Sequence, residues 1–173
     1  MIDGIAKMGE VVYSEPKLTI LRALGLGSCI GMCVFDPIKK FGALAHIVMP
    51  DSGNKKVADP GKFADTAVPY VIEQMVERGA MRSRLSVAIA GGAQLFSFHG
   101  AGERLDVGRR NTEAVKYLIA KSRLTLVEED VGGVSGRTLI FDTSTGIVTV
   151  RSSVSGEKQL ANLGYTRPLK LAA

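Results

Sequence analysis

Tryptophan is absent from this chain of 173 residues, tyrosine occurs four times, and cysteine and histidine twice each. So few aromatic rings leave little for a surface that stacks on nucleic-acid bases. The net charge of +5 is scattered over Lys39-Lys40, Lys55-Lys56, Arg82 with Arg84, and Arg109-Arg110. No long basic tract appears, so no nucleic-acid partner is expected. The scatter reads as a solvated surface or as a mildly basic face that meets an acidic protein. No uninterrupted apolar run reaches the ~18 residues of a membrane span. The start, Met1-Ile2-Asp3-Gly4, lacks the cationic and apolar regions of a signal peptide. The expectation is a cytoplasmic protein without membrane insertion. In that reducing compartment Cys29 and Cys33 are free thiols rather than a disulfide. Each is then a small buried hydrophobe or a reactive group.

What is present is ordinary for a soluble globular chain: 46% hydrophobic and 23% charged residues. No internal repeat or linker is visible. The expectation is one domain over 1–173, with a loose N-terminus to about residue 8 and a loose tail from about residue 155. Strand-like segments fall at 10–14, 18–24, 28–36 and 41–49, the last two joined as a hairpin by Asp36-Pro37 and Lys39-Lys40. Asp59 before Pro60 offers a helix N-cap. The helix should run to about Arg78, with Phe63, Ala67, Val71 and Met75 on one face and a bend at Pro69. Residues 84–90 read as a buried strand that Gly91-Gly92 breaks. A second helix is expected from Asn111 to about Ser122, and further strands at 123–128, 137–142 and 146–151. The sum is an α+β protein of mostly antiparallel strands with two main helices.

Two places carry chemistry. In Leu24-Gly25-Leu26-Gly27-Ser28-Cys29, the glycines permit a sharp path that can aim successive backbone N–H groups at one point, as an oxyanion requires. The second is His46, in the apolar run Ala43–Met49; the other histidine, His99, lies in a glycine-flanked loop. If Asp36 opposes Phe41, paired residue numbers sum to 77. His46 then opposes Gly31, and Cys29 becomes its diagonal neighbour on the same face. An even sum would separate them. Glycine at 31 would leave room for an imidazole and a substrate. Cys33 shares the face but sits mid-strand, as a buried hydrophobe would. Alternatives stand beside this reading. His46 can be a satisfied core residue, and Cys29 with Cys33 a redox or metal pair, although a metal wants about four ligands and only His46 is an obvious third. Gly25-x-Gly27 suggests phosphate binding only weakly, because it precedes a strand rather than a helix.

These residues resemble the chemoreceptor glutamine deamidase family, CheD. The resemblance rests on Leu24–Cys29 and on Gly42–His46 followed by Met49-Pro50-Asp51. It continues through Lys62–Ala67, Gly91–Gln94, Asp106–Asn111, and Asp130–Gly133 with Gly136-Arg137. It implies packed, mostly antiparallel sheets in a sandwich-like arrangement flanked by two or three helices, similar to the catalytic domain of the cytotoxic necrotizing factor toxins. It implies Cys29 as nucleophile and His46 as base, with no metal or organic cofactor. Glutamine side chains of methyl-accepting chemoreceptors would become glutamate through a cysteine thioester, and glutamyl methyl esters are a conceivable side substrate. A CheC-type phosphatase would be a partner in some bacteria. Gly27, Ser28 and Asn111 are the supporting or oxyanion candidates. One position departs: where the family pattern has a threonine as third member of the triad, this chain has Ala23. Ser28, Asn111, a backbone carbonyl or water would have to orient His46 instead, Thr19 being too far along the strand. The rival reading is a chemotaxis regulator that binds receptors or a CheC-type partner with weak or no catalysis.

Overall fold

The computed structural model describes residues 3–95 and 106–165, so His99 lies outside the described residues. The described residues form β1 (Gly4–Ile5), β2 (Val11–Tyr13), β3 (Ile20–Leu26), β4 (Ile30–Asp36), β5 (Phe41–Ile47) and α1 (Ala64–Glu77). After a 3-10 turn at Arg82–Arg84 come β6 (Ser86–Gly91), α2 (Val107–Lys121), β7 (Thr125–Val131), β8 (Arg137–Asp142), β9 (Ile147–Ser152) and β10 (Gly156–Asn162). They assemble into two five-stranded sheets, ordered β1-β3-β8-β9-β10 and β2-β5-β4-β6-β7. Neighbours are antiparallel except β1 with β3 and β6 with β7. This is the α+β architecture expected from the sequence.

Strand periodicity explains the layering. Ile30, Met32 and Val34 of β4, with Ala43, Ala45 and Ile47 of β5, face Ala67, Val71, Met75, Val115 and Ile119 of the helices. The alternate residues Cys29, Cys33, Phe35 and Leu44 face Leu21, Leu26, Leu139 and Phe141 of the other sheet. The β4 sheet is thus covered on both faces, and β4 is buried along its whole length.

The β4–β5 turn is anchored by a carboxylate. Asp36 accepts hydrogen bonds from the backbone N–H groups of Ile38, Lys39 and Met81, and from the Arg84 guanidinium at 2.7 Å. Its side chain is fully shielded from solvent. The resulting register opposes Asp36 to Phe41 and Gly31 to His46, the sum of 77 expected above.

Other expectations need correction. The chain is not loose at residues 4–6: β1 pairs with β3, and Ala6 is buried between the sheets. Nor is it loose from residue 156, because β10 pairs with β9. The first helix starts at Ala64, not at Asp59-Pro60. The backbone of Lys62 and Phe63 is taken up by β5's continuation: Val48 and Met49 donate to the Lys62 carbonyl, and Ala64 donates to that of Met49. The second helix starts four residues earlier than expected, at Val107, capped by the Asp106 side chain.

Candidate active site

β3 belongs to one sheet and β4 to the other, so Gly27-Ser28-Cys29 is a crossing between them. A register shift between Ala23 and Leu26 prepares the crossing, with Gly25 at φ +64°. The far side is tied to the end of β6: Gly92 donates to the Cys29 carbonyl at 2.9 Å, and Ala93 to that of Gly27 at 2.8 Å. At Gly91, φ is +119°, and an added Cβ would overlap the Cys29 carbonyl oxygen. That close approach explains why glycine ends the buried strand. The neighbouring β7–β8 loop is clamped by Arg137, which donates to the Asp130 side chain and to the Gly132 carbonyl. The same loop meets Gly91 and Gln94 through Gly132 and Gly133.

Cys29 and His46 lie on the inner face, between the sheets, as the register requires. Cys29 is 8% exposed and Cys33 fully buried, so of the two thiols Cys29 keeps contact with the outside. The space expected at Gly31 is not open. A Cβ there would lie 2.8 Å from Leu139 Cδ2 and 2.9 Å from Leu26 Cδ1, so the opposite sheet fills it.

The histidine is held by a segment with no visible sequence signature. Nδ1 of His46 lies 2.9 Å from the Ala6 carbonyl oxygen. A carbonyl can only accept, so Nδ1 carries the proton and Nε2 the lone pair. Nε2 is buried without a hydrogen-bond partner among the described residues. Burial lowers the His46 pKa, offset in part by the Ala6 carbonyl and the charge of Glu10. Burial pushes the Cys29 thiol up, and its own backbone N–H, beside the sulfur, pulls it back. Burial raises Cys33 much further. Both directions favour a resting pair of neutral thiol and neutral imidazole over a preformed ion pair.

Of the orienting candidates named from sequence, neither Ser28 nor Asn111 reaches the imidazole through a hydrogen bond. The acceptor is a backbone carbonyl, that of Ala6. Asn111 does something else. Its Nδ2 donates to the carbonyls of Ser28 at 2.9 Å and Val48 at 2.8 Å, so it ties the crossing to the end of β5. Its Oδ1 is buried with no partner among the described residues. Ala23 is buried in the same inter-sheet core as Cys29 and Ala6. Sequence reasoning missed Ala6, and no signal could have found it, because a main-chain carbonyl is common to all residues. Among the described residues no three His, Cys, Asp or Glu side chains come together as a metal site.

The fold and site thus define an α+β protein that brings a partly accessible thiol and an imidazole with one committed ring nitrogen onto one inter-sheet face. That arrangement suits nucleophilic chemistry on a carbonyl carbon. The profile of the CheD family, described as CheD chemotactic sensory transduction, matches residues 48–152. A relative from Symbiobacterium thermophilum is 43% identical over 155 residues, spanning 88% of this chain and 94% of its own. One from Clostridium novyi is 41% identical, over 86% and 90%; one from Desulfitobacterium hafniense (strain DSM 10664 / DCB-2) is 46% identical, over 80% and 87%. All three are named probable chemoreceptor glutamine deamidase CheD. The chain belongs to the CheD family. A solved structure of the Bacillus licheniformis hypothetical protein YfiH aligns with a TM-score of 0.44 and 12% identity, over 73% of this chain and 50% of that one. At that level it carries no argument. No helix among the described residues is long and apolar enough to cross a membrane.

Proposed function

We propose that this chain is a protein-glutamine deamidase that converts glutamine side chains of methyl-accepting chemoreceptors to glutamate, with Cys29 as nucleophile and His46 as base. The observation that carries the reading is the His46 ring. Its Nδ1 proton is committed to the Ala6 carbonyl, and the unpartnered Nε2 is left as a base on the face it shares with Cys29. The relatives' names supply the substrate class.

The Cys29 thiol proton passes to His46 Nε2 as sulfur attacks the carboxamide carbon of glutamine. The backbone N–H groups of the Gly27-Ser28-Cys29 crossing would stabilise the oxyanion that forms on the substrate oxygen. One such donor is commonly worth about 3–4 kcal/mol. The carbon–nitrogen bond then breaks, and ammonia leaves with the proton from the imidazolium. A thioester remains. His46 takes a proton from water as it attacks, the carbon–sulfur bond breaks, and glutamate and the free thiol are restored. Each cycle adds one negative charge to the receptor. Hydrolysis of glutamyl methyl esters and a CheC-type regulatory partner belong to the same proposal, on the family resemblance alone. The rival regulator reading drew on Ala23 standing where the family has a threonine; the Ala6 carbonyl beside His46 Nδ1 supports the catalytic reading.

The test is incubation with a receptor cytoplasmic fragment and peptide mass spectrometry for glutamine becoming glutamate. Wild type should convert specific glutamines, whereas Cys29→Ala and His46→Ala should not. Equal conversion by wild type and Cys29→Ala would refute the proposal.

A further inference from the structure

We infer that the N-terminal strand arms the base: β1 presents the Ala6 carbonyl to His46, and its attachment to β3 fixes the imidazole tautomer. This is a positioning role within the deamidation proposed above, on which the activity readout rests.

β1 is two residues long and lies at a sheet edge. Four features hold it. Gly4 and Ile5 pair with Leu21 and Arg22, and Ala6 N donates to the Arg22 carbonyl at 2.9 Å. Asp3 pairs with the Arg22 guanidinium at 2.5 Å. Gly4 lies flush against β3, since a Cβ there would fall 2.9 Å from Leu21 Cδ2 and 3.3 Å from Leu18 Cδ2. Past Ala6 the chain passes to the other sheet and grips the His46 backbone: Gly9 donates to its carbonyl, and its N–H donates to Glu10.

These contacts differ in kind. The two to the His46 backbone place the residue. The Ala6 contact chooses which ring nitrogen keeps the proton. Without it the Nε2–H tautomer becomes accessible, and the proton then occupies the nitrogen that must receive one from Cys29. Ala23 follows Arg22, the last partner of β1, and is buried in the same cluster as Ala6, so a hydroxyl placed there is offered to the same part of the core.

The test uses the full chain labelled with 15N-histidine, the His46 signals being assigned with His46→Gln. Ala6→Pro removes the N–H that ties β1 to Arg22, and Gly4→Val pushes the strand off Leu21. Each is made alone and combined with Ala23→Thr. In wild type near pH 8, His46 should show the Nδ1–H tautomer. Ala6→Pro and Gly4→Val should shift it toward Nε2–H and lower kcat about tenfold or more, with KM within about twofold. Ala23→Thr should restore part of kcat on either background. Should Ala6→Pro lack a cooperative melt, Gly4→Val decides. A wild-type Nε2–H tautomer, or cooperatively melting variants with unchanged tautomer and kcat, overturns the inference. A wild type with Nδ1–H that deamidates no receptor glutamine overturns the function instead, and the tautomer in the variants still decides the role of β1.

Discussion

Asp36→Asn keeps the size of a shielded side chain and removes its charge. Burial alone would raise the Asp36 pKa. The Arg84 guanidinium and the N–H groups of Met81 and Lys39 outweigh it and hold the carboxyl at about 2, against an ordinary 3.8. At ~1.4 kcal/mol per unit, that difference corresponds to ~2.5 kcal/mol of preference for the ionised form in the folded state. Because the folded pKa is lowered, the stabilisation is complete above pH 3.8 and is lost as pH falls toward 2. Urea unfolding of wild type and Asp36→Asn should therefore differ by about 2–3 kcal/mol at pH 6, with the gap closing progressively below about pH 4. Other carboxylates titrate in both proteins and cancel in the difference. A gap that stays constant down to pH 3 would refute the reasoning, because the carboxylate would not be held ionised by these contacts.

Three further outcomes are expected. Gly91→Ala forces a Cβ onto the Cys29 carbonyl at a left-handed φ; it should cost about 2–4 kcal/mol in thermal unfolding and abolish deamidation. Because burial lowers the His46 pKa, the unprotonated base persists to lower pH, and the acid limb of kcat/KM should fall below the ordinary histidine value of about 6.5; a limb above that value would contradict the assigned environment. Iodoacetamide at neutral pH should label Cys29 before Cys33, slowly for both, with the Cys29 rate still rising above the ordinary thiol range, as peptide mass spectrometry would read.

The site was legible where side chains and periodicity decide. The Asp36-Pro37 turn suggested Asp36 opposite Phe41, and the observed register has the parity that puts Cys29 and His46 on one face; the strands themselves are apolar on both faces and did not choose it. It was illegible where backbone atoms or long-range packing decide. The Ala6 carbonyl is one case. The α1 start is another: Asp59-Pro60 carries cap chemistry, but the main chain at Lys62 and Phe63 was claimed by Val48 and Met49. At α2, Gly108 argues locally against helix. Its lack of a side chain is what lets the first turn press on the backbone of Gly92 and Ala93. β10 escaped notice because Gly156–Gln159 are exposed, which leaves too little apolar alternation to read.

The Asn111 link between Ser28 and Val48 joins positions more than sixty residues apart in the sequence. During synthesis the thiol and the imidazole therefore leave the ribosome well before the part that ties their strands together. A half-made chain would carry both side chains without the link that fixes their strands. Breaking the link at Asn111 itself would loosen the crossing while leaving both reactive residues intact.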